Sequence, residues 1–265
     1  MMIIDNSKIT GRAWAVRKPD SRPKLALTLD RLGPVALAVV VLIVWQLSSN
    51  VLFVVPSPVA SVQALAANFS DSKYMVDLRV TAIGTLLAFV YGAGMAFLLG
   101  LVIGLSSWAR ALFEPLLIAF NGIPKIVLYP VLLQIFSLSG SKIAMGALFA
   151  FFPVFINVAT GIREMPAVYW KLAKTTQASK WNILIYIILP AIRKPLLTGV
   201  RLSVSLAMSG VVLSEFFATD RGLGRVVLQS FSQANYPNMV ATLLVLLAAS
   251  FIFSMALWRW EKRLR

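Results

Sequence analysis

The sequence predicts an all-α integral membrane protein with six transmembrane helices. Of its 265 residues, 59% are hydrophobic and only 13% are charged, and the mean hydropathy is +0.82. So few polar side chains cannot coat a water-soluble fold of this size. Six apolar runs long enough to cross a bilayer are separated by polar or turn-rich stretches. Basic residues are concentrated in alternate connecting segments, as multi-pass proteins require.

The chain begins with a polar segment followed by the first apolar run. Residues 1–31 carry seven basic and three acidic residues, and Pro19 and Pro23 interrupt any long helix. We interpret them as a cytoplasmic basic tail. The run over residues 32–49 can span a bilayer when tilted, and it lacks a small-residue cleavage site behind it. We therefore interpret it as an uncleaved first span rather than a secretory signal.

The second and third spans differ in their expected regularity. After a loop with a short interfacial helix, residues 80–106 form an uncharged, glycine-rich second span suited to close helix packing. The third span, residues 114–137, is interrupted by the segment 121–125 and again by Pro130, so we expect it to be kinked or unwound. Irregular backbone at membrane depth is tolerated only against protein or a water-filled cavity.

The second half of the chain contains three spans and one large polar loop. The three spans are residues 143–162, 195–217 and 239–258. Residues 163–194 hold six basic residues and one acid, and they contain two short helical stretches. The transmembrane domain thus covers 32–258 and is followed by a second basic tail at 259–265.

The distribution of charge predicts the orientation. With six spans, both termini lie on one side of the membrane. The segments assigned to that side carry 18 of the 25 Lys and Arg residues and the opposite side carries five, while Lys125 and Arg201 lie inside spans. Because Lys and Arg favour the cytoplasmic side, both termini and residues 163–194 are predicted to be cytoplasmic. The net charge of +15 then reflects topology and lipid headgroups rather than binding to nucleic acid.

The residue types that are absent exclude most enzyme classes. The sequence has no cysteine and no histidine, which excludes disulfides, zinc–thiolate sites and Ser-His or Cys-His nucleophiles. It also has no Gly-Lys pair, so no phosphate-binding loop of the GxxxxGK[ST] type is present. We predict no catalytic residue, no metal site and no cofactor bound by this chain.

The loop between the fourth and fifth spans carries a pattern that points to function. It reads Lys171-Leu172-Ala173, three residues, Gln177, and then Ile187-Ile188-Leu189-Pro190. This resembles the signature of permease subunits of ATP-binding cassette importers: EAA, three residues, Gly, and a later I-x-L-P. Other segments resemble the nitrate/taurine/sulfonate-type branch of the binding-protein-dependent transport family, and the resemblance covers roughly residues 54–260. These segments are VVPSPVAS, LLGLVIGLSS, GIPKIVLYPVLL, FFPVFINVATGIR, and LTGVRLSVSLAMSGVVLSEFF followed by GLG.

The resemblance implies a type I importer permease, with a five-helix core plus an added N-terminal span, in the bacterial plasma (inner) membrane. It implies two partner ATPases that use ATP and Mg²⁺, a second permease of the same or a homologous chain, and an extracytoplasmic solute-binding protein. An ion-coupled secondary carrier is one alternative, disfavoured because the spans contain almost no acids. A membrane assembly subunit is another, and it does not explain the loop pattern.

Two groups of residues are candidate sites. The resemblance assigns ATPase coupling to seven residues of the cytoplasmic loop: Tyr169, Trp170, Lys171, Leu172, Ala173, Gln177 and Pro190. Candidates for lining the solute pathway are polar residues of the spans: Lys125, Asn121, Tyr129, Gln134, Asn157, Arg201 and Glu215.

Several of these residues have two open interpretations. A charge such as Lys125 costs about 2.5–3.5 kcal/mol at a span centre. Lys125 therefore either faces the pathway, which favours an anionic solute, or snorkels to a headgroup or pairs with a carbonyl. Arg201 either contacts solute or pairs with an acid or carbonyl inside the bundle. Glu215 is either a gate or a structural partner.

The loop departs from the family pattern at two positions. Lys171 replaces the glutamate and Gln177 replaces the glycine. If the glycine position is left-handed, a residue with a side chain costs about 1–2 kcal/mol there. Gln177 therefore indicates either an ordinary helical angle or a modified docking site.

The orientation can be tested directly, because a cysteine-free chain accepts single cysteines without background labelling. An impermeant maleimide added to intact cells is expected to label a cysteine at position 71 and to leave one at position 175 unlabelled. The reverse pattern would show that the orientation is wrong.

Overall fold

The computed structural model describes residues 24–263, so most of the predicted N-terminal tail and the last two residues lie outside the described range. Over that range the chain forms twelve α-helices and no strand. A 3₁₀ turn, Lys125–Leu128, precedes α5, and a π-helical turn, Leu184–Ile188, joins α8 to α9. The helices are α1 Lys24–Val51, α2 Pro58–Ser70, α3 Ser72–Leu105, α4 Ser107–Asn121, α5 Tyr129–Ile135, α6 Leu138–Arg163, α7 Ala167–Thr175, α8 Lys180–Ile183, α9 Leu189–Ala191, α10 Arg193–Phe217, α11 Leu223–Ser232 and α12 Tyr236–Arg263.

The described residues divide into two compact units, one ending at residue 58 and the other beginning at residue 59. In the first unit, α1 provides the apolar stretch Leu32–Val51, which is long enough to cross a membrane and contains the predicted first span. The helix begins at Lys24, inside the predicted tail. The Trp45 indole nitrogen donates a 2.9 Å hydrogen bond to the carbonyl of Pro56, which holds the segment after α1 against the end of the helix.

The second unit contains the other candidate spans. Helices α3, α6, α10 and α12 are each long and apolar enough to cross a membrane. Helix α4 and the segment Lys125–Ile135, which comprises the 3₁₀ turn and α5, together make one more candidate, bent by 95° at a break of three residues. The break falls at Gly122–Pro124, where the sequence predicted a kink, because Pro124 cannot continue the hydrogen-bond ladder of α4. Within residues 24–263 there are thus six candidate spans when the bent pair counts as one.

Several helices begin earlier than hydropathy predicted. Helix α3 begins at Ser72 rather than at 80, α4 at Ser107 rather than at 114, and α6 at Leu138 rather than at 143. Each start is set by a capping side chain, which accepts a hydrogen bond from a backbone N–H of the first turn. The capping residues are Asp71, Ser106 and Ser137. The longer α6 takes in Lys142, which the sequence had placed in an outer connection.

Helices α3, α6 and α10 form the centre of the bundle, and glycine lets them approach closely. A Cβ atom at Gly146 would lie 2.6 Å from a methyl of Val211 and 2.7 Å from Cβ of Ala88. A Cβ at Gly210 would lie 2.9 Å from Cα of Gly146. Such contacts leave no room for a side chain at the crossings. On α3, a Cβ at Gly92 would collide with the carbonyl oxygen of Ala147 on α6, so the close packing predicted from the glycine-rich second span is present.

Candidate functional site

A buried ion pair joins α6 to α10. The ammonium of Lys142 lies 3.0 Å from Oε1 of Glu215, and the two side chains are 5% and 0% exposed. Lys142 also donates to the carbonyl of Arg221 at 3.3 Å. Burying two charges costs several kcal/mol per ion, and the attraction between them offsets this only when their remaining hydrogen-bonding capacity is also satisfied. The surroundings of the carboxylate therefore decide whether this pair is stable.

The other partners of Glu215 come from α3 and from the start of α11. The Thr81 hydroxyl lies 3.1 Å from Oε1 and 2.9 Å from Oε2, and the Gly224 backbone N–H donates to Oε2 at 3.0 Å. The Thr81 oxygen in turn accepts from the Leu223 N–H at 2.8 Å. Because the first N–H groups of a helix lack partners within the helix, a carboxylate is well placed there. Glu215 thus holds α3, α6, α10 and α11 together.

Glycine at two positions allows the backbone to seat this carboxylate. Gly222 has φ of 129°, a conformation that favours glycine, and a Cβ there would collide with the Glu215 carboxyl group. Its N–H donates to Oδ1 of Asp77 at 2.9 Å. A Cβ at Gly224 would lie 2.6 Å from Cβ of Glu215. In the sequence, the GLG segment (residues 222–224) was only a point of family resemblance. In the structure, its backbone packs against the buried Glu215 carboxylate and donates a hydrogen bond to it.

Two of the predicted pathway residues lie here: Glu215 belongs to the cluster and Tyr129 lies next to it. Lys142, which also belongs to the cluster, was not predicted as a site residue. Tyr129 is buried and its hydroxyl donates to the carbonyl of Ala218 at 3.1 Å, close to the GLG segment. The pairing of Glu215 with Lys142 favours the structural role for the acid over the gating role. Lys142 was assigned to a loop because the α6 start was placed too late. A buried acid needs a cationic partner, and the N-cap at Ser137 was the local signal that would have placed Lys142 inside the helix.

Lys125 lies directly after the break between α4 and α5. Its ammonium donates to the carbonyl and side-chain oxygens of Asn121 at 3.1 and 3.0 Å. The ammonium also lies 4.8 Å from the ring centre of Phe152 and 5.7 Å from that of Phe149, so cation–π attraction adds to the hydrogen bonds. The side chain is half-buried. It pairs with a carbonyl, as one hypothesis expected, and it keeps the partial exposure that the pathway hypothesis requires.

The other pathway candidates have separate surroundings. Arg201 lies 4.0 Å from a carboxylate oxygen of Glu261 on α12, which is the pairing expected if it has a structural role. The amide of Asn157 donates to the carbonyl of Pro153 at 2.8 Å, one turn earlier on α6. Gln134 is exposed on α5. Arg201 and Asn157 therefore already have protein partners.

The loop between α6 and α10 presents an apolar face on a short helix. Tyr169, Trp170 and Leu172 of α7 are exposed, as are Lys171 of the same helix and Pro190 of α9. Ala173 points inward and is buried. Adjacent exposed aromatic and aliphatic side chains are typical of a surface that another protein covers.

Gln177 follows α7 in the left-handed conformation, with φ of 46°. The hypothesis of an ordinary helical angle is therefore wrong. A residue with a side chain costs about 1–2 kcal/mol in this conformation relative to the right-handed one. The turn geometry typical of glycine is kept although the glycine itself is replaced.

Comparison with known proteins gives one consistent result. Residues 92–265 match the family described as the binding-protein-dependent transport system inner membrane component. The chain is 30% identical to a putative aliphatic sulfonates transport permease protein of Bacillus subtilis, over 84% of this chain and 82% of that protein. It is 25% identical to the taurine transport system permease protein of Escherichia coli, over 100% and 97%. It is 26% identical to the nitrate import permease protein of Synechococcus elongatus, over 85% and 83%.

The ion pair can be tested by a double-mutant cycle on the purified protein. Lys142→Met leaves the Glu215 carboxylate as an unpaired buried charge, and Glu215→Gln leaves the Lys142 ammonium as one. Each single variant is expected to lower the free energy of unfolding by about 3–5 kcal/mol. The double variant is expected to lose less than the sum, because Gln keeps the hydrogen bonds to Thr81 and Gly224 while no charge remains buried. Thermal unfolding in detergent measures this.

The exposed Lys73 on α3 supplies the control. Lys73→Met is expected to leave the unfolding midpoint unchanged, since its ammonium is in water. Strictly additive losses in the Lys142 and Glu215 variants would contradict the coupling.

Proposed function

The chain belongs to the family of binding-protein-dependent transport system inner membrane components, and from that membership we propose how it works. It is a permease subunit of an ATP-driven importer and forms the solute pathway. In the proposed complex, this chain and a second permease lie side by side in the bacterial plasma membrane. Two ATP-binding cassette ATPases bind the cytoplasmic face and use ATP and Mg²⁺, and an extracytoplasmic binding protein delivers the solute. Both termini of this chain are cytoplasmic.

The exposed face of α7 is the observation that carries the coupling role. Trp170 and Leu172 lie in the segment that joins α6 to α10, two helices of the tightly packed centre. In the proposed complex an ATPase covers this face, since buried aromatic and aliphatic anchors dominate interface energies. Closure of the ATPases on ATP then moves α7, and with it the ends of α6 and α10. No covalent step takes place in this chain.

The internal packing suggests which parts move together. The glycine crossings at Gly146 and Gly210 and the hydrogen-bonded Glu215 make α3, α6, α10 and the start of α11 one rigid body. The break after α4 interrupts the third span, and its residues can absorb a change of angle. We infer that the rigid bodies of two permeases rock against each other, while the broken spans line the pathway between outward and inward openings.

The solute of this chain is proposed to be a small anion. Three of the relatives are named for aliphatic sulfonates, taurine and nitrate, which all carry an anionic group, while two others are named for formylaminopyrimidine and riboflavin. Lys125 supports this proposal, because a half-buried ammonium next to a break in a span places positive charge where charge is least screened. Asn121 and the two aromatic rings hold that ammonium in place.

The identity of the second permease is a separate proposal. Lys171 and the left-handed Gln177 alter the coupling pattern. A changed loop is most easily tolerated when a different permease carries the standard one, whereas two copies of this chain require the changed loop to suffice. We nevertheless propose two copies of this chain, because that arrangement brings two Lys125 side chains toward one pathway for an anionic solute. Mass spectrometry of the purified complex distinguishes this from a heterodimer.

The coupling role predicts the effect of trimming α7. Trp170→Ala with Leu172→Ala is expected to lower ATPase co-purification, or solute-stimulated hydrolysis, by about tenfold or more, because the interface loses two apolar anchors. The protein should still reach the membrane, since both side chains are exposed in the isolated chain. Unchanged hydrolysis and transport would remove α7 as the coupling element.

A matched control lies on α11. Leu228 and Phe231 are similarly exposed and apolar, and the proposed topology places them on the opposite side of the membrane. Leu228→Ala with Phe231→Ala is expected to leave ATPase co-purification unchanged.

The anionic solute predicts a specific role for the charge at position 125. Lys125→Met is expected to slow solute uptake about tenfold, because the attraction of the pathway for anions is lost. Lys125→Arg keeps the charge and should retain most uptake. Normal uptake by Lys125→Met at normal expression would remove the support that this residue gives to an anionic solute.

A further inference from the structure

An ion pair connects α4 to the end of α6, separately from the buried cluster. Nη1 of Arg163 lies 2.7 Å from Oε1 of Glu114, and the two side chains are 44% and 20% exposed. Arg163 is the last residue of α6, and Glu114 lies in the middle of α4. A pair as exposed as this contributes little to stability, because water screens the attraction between its charges. Its position is therefore of more interest than its energy.

Helix α4 is otherwise held loosely on this side. It packs mainly against α3. An open groove of about 670 Å³ runs along α4, and Arg163 borders it from α6. The groove is mostly apolar, with the ion pair at its edge. The pair thus joins α4 to α6 at this open groove, where side chains do not otherwise fill the space.

The segment between this ion pair and α7 is short and anchored. Glu164 N–H bonds the carbonyl of Thr160 at 2.9 Å, Met165 is buried, and α7 begins at Ala167. A displacement of α7 is therefore passed to Arg163 rather than absorbed by a flexible linker.

The far end of α4 carries the pathway residues. Phe120 stacks on Phe152 with ring centres 5.9 Å apart, and Asn121 holds the ammonium of Lys125. The chain then turns by 95°. Helix α4 therefore carries the ion pair midway along its length and the break in the third span at its C-terminal end.

We propose that the Glu114–Arg163 pair transmits movement of α7 to the broken third span, so that Glu114 and Arg163 are positioning residues for transport. This inference rests on the proposed function. ATP-driven displacement of α7 moves Arg163, Arg163 carries Glu114 and α4 with it, and the surroundings of Lys125 change. Without the pair, the ATPases still bind and hydrolyse ATP, but the broken span no longer follows.

The test compares single variants with a charge swap in the assembled importer. Glu114→Gln and Arg163→Gln are each expected to lower solute transported per ATP hydrolysed by about fivefold, a size typical of coupling between linked elements. The swap Glu114→Arg with Arg163→Glu is expected to recover coupling to within about twofold of the original, since the attraction is restored with reversed polarity. ATPase co-purification and the unfolding midpoint should stay unchanged in all three, because both side chains are partly exposed.

One conservative variant and one control variant keep the test specific. Arg163→Lys preserves the charge and should keep most of the coupling, and Arg193→Gln, at the other end of the same loop and exposed, should have no effect. Single variants that transport normally per ATP, or a swap as poor as either single, would overturn the inference. Failure of the unmodified chain to co-purify with an ATPase would instead count against the proposed function.

Discussion

Every polar group placed in a bilayer must find its partner within the protein, because hydrocarbon offers none. The Glu215 carboxylate shows how this requirement organises the bundle. It receives hydrogen bonds from Thr81 on α3, Lys142 on α6 and the Gly224 N–H of α11. One buried acid on α10 therefore fixes the relative positions of four helices. Beside this carboxylate, the Gly222 N–H donates a further hydrogen bond to Asp77 on α3.

The same protein combines a rigid centre with an interrupted span. Glycine at the α3–α6–α10 crossings brings backbones into contact, and such packing transmits displacement with little deformation. The third span lacks this continuity because Gly122–Pro124 separates α4 from α5. An importer needs both properties, since force must travel from one face of the membrane to the other while the pathway itself changes shape. Lys125 and Glu114 lie on the interrupted span, and Arg163 contacts it from the end of α6.

The loop between α6 and α10 departs from the family pattern at two positions. Gln177 has a left-handed backbone, which costs a residue with a side chain about 1–2 kcal/mol. Lys171 reverses the charge expected at the family position. The apolar anchors Tyr169, Trp170 and Leu172 remain exposed on α7. An exposed apolar helix followed by a left-handed turn is thus present in this loop although the two family residues are replaced.

The sequence by itself determined the membrane class, the spans, the break in the third span and the polar loop with its apolar helix. These depend on hydropathy, on proline and on glycine, which act over one or two helical turns. The sequence also supplied Glu215, Tyr129 and Lys125 as polar residues needing an explanation. Only the tertiary structure decided their partners. Lys142 and Glu215 are 73 residues apart in sequence, and Glu114 and Arg163 are 49 apart. Whether two such residues meet depends on how the helices cross and rotate, which hydropathy does not encode.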